Sequence, residues 1–237
     1  MALTILHTND FHGKLDDAKA SFIRGLKGES GLYVDTGDAI KAGNLAIPLK
    51  PEAAWPRLAA AGCDASVPGN RESHVLRAAV EAKFAGRAHP VLCANWRAKE
   101  GANPFARSLI LERAGLKVGL FGVMVPIVTA KMATQAASAY LWDQPIAVAC
   151  EVAAELRANV DVVIALTHIG FTRDQELADK GAPIDLIFGG HCHTVLESPV
   201  RIGRTWIAQG GSHGRYVGRY EWDGKDLKGG LLPLPQD

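Results

Sequence analysis

The sequence has no apolar run of the length needed to cross a bilayer, and its start carries no basic segment leading into a long apolar stretch. No membrane-spanning helix is expected, and the chain reads as cytoplasmic. Neither sign of charge is in excess. The net charge is +1 over 237 residues, which leaves no broad field to gather nucleic acid or an anionic membrane, so an anionic ligand has to be held by local groups. A basic stripe interleaved with aromatics is also missing, which disfavours a nuclease. Only four cysteines occur, Cys63, Cys93, Cys150 and Cys192, without C-x-x-C spacing and mostly in or beside apolar segments. That pattern excludes a disulfide framework and leads to reduced core thiols. The serines Ser21, Ser66 and Ser73 lack a G-x-S-x-G elbow, which removes the main serine-hydrolase alternative. No phosphate-cradling G-x-x-x-x-G-K-[ST] or G-x-G-x-x-G pattern in strand–helix context is present, and Gly210 and Gly211 read as turn residues. There is no internal repeat and no low-complexity linker; with 48% hydrophobic and 22% charged residues, one domain spanning residues 1–237 is expected.

What the chain does have is a recurring unit, an apolar strand that ends in a polar loop. The most informative copy is Ile187-Phe188-Gly189-Gly190-His191-Cys192-His193-Thr194. An apolar run is followed by two glycines, which let the backbone turn without a Cβ in the way, and then by two imidazoles one residue apart. His191 and His193 emerge beyond the carboxyl end of the strand, where open α/β sheets bind ligands. Cys192 between them points the opposite way on an extended segment and is expected to pack inward. Similar units end at Asp10-Phe11-His12-Gly13, at Gly37-Asp38, at Gly69-Asn70 and at Thr167-His168. His7 reads as a packed strand histidine, and His89 and His213 as loop residues, with His213 able to rim a pocket.

In order, the pattern predicts a strand over residues 2–7, a helix from Asp16 to Leu26, a strand over 31–34 and a helix from Pro51 to Gly62, with proline at its start and glycine at its end. A third strand follows over 64–67, a helix from Ser73 to Phe84 and a fourth strand over 90–94. Residues 108–113 and 117–124 form a hairpin. The segment from Pro126 to Leu141 is a loop or a set of short helices. Helices at 146–159 and 172–180 alternate with strands at 160–167 and 184–188. Strands dominate from Val200 onward, including 205–208 and 216–222, the last leading through an Asp-Gly turn to a short final strand. Alternation early and consecutive strands late predict an α/β fold with two mixed β-sheets flanked by helices, a four-layer α/β/β/α sandwich.

Asp10, His12, Asp38, Asn70, His168, His191 and His193 make a set of two carboxylates, one amide oxygen and four imidazoles. Mixed N and O donors suit Mn, Zn or Fe better than Ca. Seven donors suffice for two divalent metal ions, and a carboxylate can bridge ions roughly 3.5–4 Å apart; Asp38 is the expected bridge. The order N-D-x-H-G, G-D, G-N, T-H and G-G-H-x-H resembles the calcineurin-like metallophosphoesterases, in particular the catalytic domain of the 5′-nucleotidase branch. The resemblance covers nearly the whole chain, including Asp161 to Leu196 and Ala208-Gln209-Gly210-Gly211. It implies that Asp10, His12, Asp38 and His193 hold one metal, while Asp38, Asn70, His168 and His191 hold the other. It further implies that a metal-bridging hydroxide attacks phosphorus in line.

Two departures from that family matter. Its usual G-N-H-E is Gly69-Asn70-Arg71-Glu72 here, so the histidine near the leaving group is replaced by a guanidinium, which binds phosphate but stays protonated. His74, three residues on, is a candidate substitute acid; the plain alternative is an exposed helix-end histidine. The other departure is length: 237 residues accommodate the catalytic domain alone, a C-terminal nucleotide-specificity domain is not expected, and the resemblance does not carry nucleotide specificity over. The expected activity is hydrolysis of small-molecule phosphomonoesters or phosphodiesters, possible nucleotides included, with Asn70, Arg71 and His74 as catalytic candidates and no nucleic-acid or membrane partner. The competing reading is a metal-binding, catalytically weak relative used as a sensor or interaction module, motivated by Arg71. Retention of all seven metal-ligand candidates favours the enzyme.

Overall fold

A computed structural model describes residues 2–236. In chain order the elements are β1 (Leu3–Thr8), α1 (Asp17–Lys27), β2 (Leu32–Asp35), α2 (Ala54–Ala61), β3 (Ala65–Ser66), α3 (Arg77–Lys83), β4 (Trp96–Ala98), β5 (Ser108–Arg113) and β6 (Leu116–Met124). After a single 3-10 turn at Ala133–Ala137 come β7 (Tyr140–Trp142), α4 (Pro145–Arg157), β8 (Val162–His168), α5 (Phe171–Asp179), β9 (Leu186–Gly189), β10 (Val200–Ile202), β11 (Thr205–Gln209), β12 (Tyr216–Trp222) and β13 (Leu227–Pro233).

Two mixed sheets carry the fold, one in the order β13-β12-β1-β2-β3 and the other in the order β10-β11-β9-β8-β6-β5. Leu3, Ile5, Leu32 and Val34 from the first meet Leu120, Ile164, Leu166 and Phe188 from the second in a shared buried core. Strand alternation sends the intervening residues outward. Leu6 and Tyr33 pack beneath α1 and α2 with Ile23, Trp55 and Leu58, and Phe121, Val163 and Ala165 pack beneath α4 and α5 with Ala149, Val152 and Leu177. Both faces of β8 are thereby covered, which is why it reads as an unbroken apolar run. The α/β/β/α sandwich is the architecture expected from the sequence. Among the described residues, no helix is long and apolar enough to cross a membrane.

Within each sheet, the strands that end in candidate ligands run parallel: β1, β2 and β3 in one, β8 and β9 in the other. Their carboxyl ends are brought together at one edge of the sandwich. Register aligns Thr8 with Asp35 and Asp35 with Ser66, so the loops after all three strands start at one level.

Several elements differ from the sequence reading, each for a local reason. Helix α2 starts at Ala54 rather than Pro51, because the Glu52 carboxylate accepts from the amides of Lys41 and Ala42 and ties that stretch to the preceding loop. The strand expected over 90–94 is reduced to isolated bridges at Val91 and Leu92. The ribbon of β4 and β7, which pairs Trp96 with Trp142, was not foreseen, since its partners lie far apart in sequence. It anchors a satellite core with Tyr140, Phe105 and Met124. His89 lies in a loop, as the sequence reading has it, and is buried there with its Nε2 2.9 Å from Ser66 Oγ.

Helix α3 begins at Arg77 instead of Ser73. The backbone before it is committed elsewhere, for Glu72 is buried and its carboxylate accepts from the amides of Gly69 (2.8 Å), Asp38 (2.9 Å) and Ile40 (3.2 Å). Burial and the neighbouring Asp38 push this carboxyl up to about 7, while the amide donors pull it back. Truncation would leave three amides without this acceptor, at about 1–3 kcal/mol for each that stays buried and unpaired. Glu72→Ala is therefore expected to lower unfolding stability by about 3 kcal/mol or more. Urea titration checks this, and a loss below about 1 kcal/mol would mean that the loop does not depend on the carboxylate.

Candidate metal centre

The loops beyond β1, β2, β3 and β9, with His168 at the carboxyl end of β8, bring all seven sequence-selected residues together. Asp10 is fully buried. Its Oδ2 accepts from Asn9 Nδ2 at 2.8 Å and from the His191 amide at 2.9 Å. Its Oδ1 has no hydrogen-bond partner, yet lies 3.4 Å from His193 Nε2 and 3.6 Å from His12 Nε2. Those two imidazole nitrogens are 2.9 Å apart, and His12 Nδ1 is also buried without a partner. A bare carboxylate oxygen facing converging ring nitrogens is the donor arrangement of a divalent-cation site, and it satisfies atoms that would otherwise be orphaned.

A second group adjoins the first. His168 Nδ1 lies 2.6 Å from the Thr36 carbonyl; a carbonyl can only accept, so the proton sits on Nδ1 and Nε2 keeps its lone pair for the site. Such a carbonyl partner fixes both ring orientation and tautomer in metal centres. His168 Nε2 is 3.2 Å from Asn70 Oδ1 and 3.7 Å from Asp38 Oδ1, and His191 Nδ1 is 2.9 Å from the same Asn70 oxygen. Asp38 stands between the groups, with Oδ1 toward His168 and Oδ2 3.9 Å from His12 Nδ1. Asp10 with His12 and His193, and Asp10 with Asp38 and His168, each bring their donor atoms within 4.8 Å of one another. Asp10 thus belongs to both groups, whereas the expected bridge Asp38 belongs only to the second.

Electrostatics match this use. Burial, ahead of the Arg71 charge, lowers His12 to about 4, and burial followed by His168 lowers His191; both imidazoles are therefore neutral and able to donate a lone pair. Burial also raises Asp38 to about 7, the mark of a carboxylate that lacks a cationic partner of matching strength.

Backbone strain gathers at the same place. Among the described residues, seven non-glycine residues have positive φ: Asp10, His12, Asp38, His191 and His193, together with His213 and the hairpin residue Ala114. Left-handed conformations cost non-glycine residues energy and persist where the surroundings enforce them. Close approach explains two glycines: a Cβ on Gly69 would sit 2.1 Å from Asp38 Oδ1, and one on Gly190 would sit 3.0 Å from Asp10 Oδ2.

The three catalytic candidates fare differently. Asn70 is in the centre. Arg71 donates its amide to Asp38 Oδ1 at 2.7 Å, and its guanidinium Nε lies 4.0 Å from Asp38 Oδ2 with Nη1 3.2 Å from the Lys41 carbonyl. His74 spends Nδ1 on the Leu76 amide at 3.0 Å, and burial and Lys83 lower its pKa. Among the described residues it makes no hydrogen bond or ion pair with the seven ligands. His213 is closer than the sequence indicated. It is exposed, with its ring 4.8 Å from that of His12 and 5.7 Å from that of His193, and it overhangs a cleft of about 460 Å³ lined also by Lys14, Lys19 and Arg57. Its position after a strand-end glycine pair was the only signal. His7 is packed as expected, with Nε2 2.9 Å from Thr36 Oγ1 and burial lowering its pKa to about 3. Cys192 is an exposed residue rather than an inward-packed one, because the Phe171 amide at 3.1 Å and Gln209 Oε1 at 3.2 Å hold its thiol at the loop surface.

With strand-end ligands, a shared carboxylate and a four-layer sandwich in place, the comparisons with known proteins define the class. The model of the calcineurin-like phosphoesterase family matches residues 3–195. The chain belongs to the calcineurin-like phosphoesterases, a family of metal-dependent phosphoester hydrolases. Among individual relatives, it is 28% identical over a 286-residue alignment to the trifunctional nucleotide phosphoesterase protein YfkN of Bacillus subtilis, covering 99% of this chain and 19% of that protein. It is 26% identical over 222 residues to the 5′-nucleotidase of Rattus norvegicus, covering 82% of this chain and 38% of the relative. The chain thus spans less than half the length of either. A solved structure of a 5′-nucleotidase precursor from Thermus thermophilus superposes with a TM-score of 0.82 at 22% identity, covering 99% of this chain and 55% of that one. The Bacillus subtilis YfkN calcineurin-like phosphoesterase structure gives 0.77 at 21%, covering 99% and 92%.

Proposed function

We propose that this chain is a dinuclear metal-dependent phosphoesterase acting on small-molecule phosphomonoesters or phosphodiesters, nucleotides among them. The observation that carries the reading is the convergence of the seven donors, with Asp10 Oδ1 bare and 3.4 Å from His193 Nε2, and with the two Asp38 oxygens turned toward His12 and His168. In this reading Asp10, His12, Asp38 and His193 hold one ion, and Asp38, Asn70, His168 and His191 the other. The mixed donor set suits Mn, Zn or Fe. Bound there, such ions supply an activated water at neutral pH and neutralise charge on the transferred group. The residues do the rest. Arg71 offers a fixed cation beside Asp38 for a phosphoryl oxygen, and the Thr36 carbonyl and the Asn9 amide hold His168 and Asp10 in donor geometry. The nucleotide phosphoesterase and nucleotidase names of the relatives add support for phosphate esters as substrates.

The test is hydrolysis of p-nitrophenyl phosphate and of its bis ester by protein reconstituted with Mn, Zn or Fe. Metal-dependent turnover of either ester is expected. No turnover of any mono- or diester would favour the weak, metal-binding relative that Arg71 also permits.

A further inference from the structure

Asn70 meets two imidazoles with a single atom, Oδ1, which lies 3.2 Å from His168 Nε2 and 2.9 Å from His191 Nδ1. An amide presents oxygen to a metal site only when its NH2 end is satisfied on the other side. Asn44 Oδ1 does this, accepting from Asn70 Nδ2 at 3.0 Å. Turning the Asn70 amide over would bring its NH2 to the imidazoles and set oxygen against oxygen at Asn44. With Asn44 oriented this way, the contact favours the Asn70 orientation in which a cation meets the amide oxygen.

Asn44 lies in the irregular stretch between β2 and α2, where no strand or helix fixes it. Its backbone is held instead by Lys83. That side chain is fully buried, and its ammonium donates to the carbonyls of Gly43 (2.9 Å), Asn44 (3.0 Å), Arg71 (2.5 Å) and Ser73 (3.1 Å). Two of these acceptors belong to the Asn44 loop, and two lie just after Asn70. A three-proton donor is thus shared among four carbonyls, and among the described residues no carboxylate is in hydrogen-bond contact with it. Burying an ammonium without a counter-ion is costly unless its hydrogen bonds are complete. Here they staple together the two loops that carry Asn44 and Asn70.

We propose that Asn44 and Lys83 are positioning residues for the metal ligand Asn70, Asn44 by orienting its amide and Lys83 by clamping the two loops at the distance this requires. The inference rests on the two-metal reading above. It assigns a selective effect, since Asn70 serves only the ion shared with His168 and His191.

Titration calorimetry of the full chain with Mn tests it. The wild type is expected to show two binding steps. Asn44→Ala should weaken one step by about 10–100-fold and leave the other within about twofold, which is the usual scale for a group that orients a metal ligand. Asn44→Asp, which keeps an acceptor oxygen, should retain both steps. Lys83→Met should reproduce the selective loss, with near-UV circular dichroism of the metal-free protein as the control for folding. Asn44 is exposed, so its variants decide the matter even if Lys83→Met does not fold. Unchanged steps in Asn44→Ala, equal weakening of both, or equal loss in Asn44→Asp would overturn the proposal. A wild type with one step or none would instead overturn the two-metal reading, and the inference with it.

Discussion

Replacement of His191 or Asn70 by alanine is expected to lower metal-dependent hydrolysis by about 10³-fold or more without unfolding the protein. Both side chains stand on loops beyond strand ends, and neither belongs to the buried clusters between the layers. Their removal takes one donor from the ion that neutralises the transferred phosphoryl group. A loss of about 4 kcal/mol of transition-state stabilisation corresponds to roughly 10³ in rate. Steady-state kinetics with p-nitrophenyl phosphate, alongside thermal melts of the metal-free proteins, separates the two effects. A variant with wild-type turnover would remove that residue from the ligand set; a variant that fails to fold would give it a structural role.

Arg71→His is expected to raise the rate for alkyl phosphates relative to aryl phosphates by about 5–150-fold, the equivalent of roughly 1–3 kcal/mol from one charge-assisted hydrogen bond at the reacting group. An aryloxide leaves as a stable anion and needs no proton, whereas an alkoxide needs protonation or strong neutralisation. A guanidinium supplies charge and no transferable proton at working pH. Its Nε is 4.0 Å from Asp38 Oδ2, so a group at this position reaches the centre. His74 is poorly placed to substitute, with Nδ1 already bound to the Leu76 amide, and His74→Ala is expected to leave the ratio unchanged. An unaltered ratio in Arg71→His would show that this position does not act on the leaving group. A changed ratio in His74→Ala would make His74 the substitute acid.

The parts of the fold that were legible in the sequence are those set by local patterns. Asp16 caps α1 through the Lys19 amide at 2.8 Å, and Gly62, left-handed at the end of α2, closes that helix. The Ala114-Gly115 turn, with positive φ at both residues, joins β5 to β6 as a hairpin. The metal-ligand candidates were legible for the same reason: each follows an apolar strand, and parallel strands bring such loops to one edge. What escaped depends on contacts between distant residues. The delayed start of α3 follows from Glu72 binding amides some 30 residues earlier in the chain (Asp38 and Ile40). The β4–β7 ribbon, the pairing of Asn44 with Asn70 and the Lys83 clamp leave no periodicity or spacing to read. His213 was visible as a residue, but what ties it to the centre is its amide donating to the Asp10 carbonyl at 2.7 Å and its ring lying against those of His12 and His193.

The central claim is that one chain holds two divalent ions with Asp38 between them, and counting the ions tests it most directly. Elemental analysis of protein reconstituted with Mn or Zn and freed of excess metal is expected to give two ions per chain, and reduced occupancy of both sites in Asp38→Asn, because a neutral amide cannot bridge as a carboxylate does. A wild-type content of one ion or fewer, or undiminished occupancy in Asp38→Asn, would contradict it.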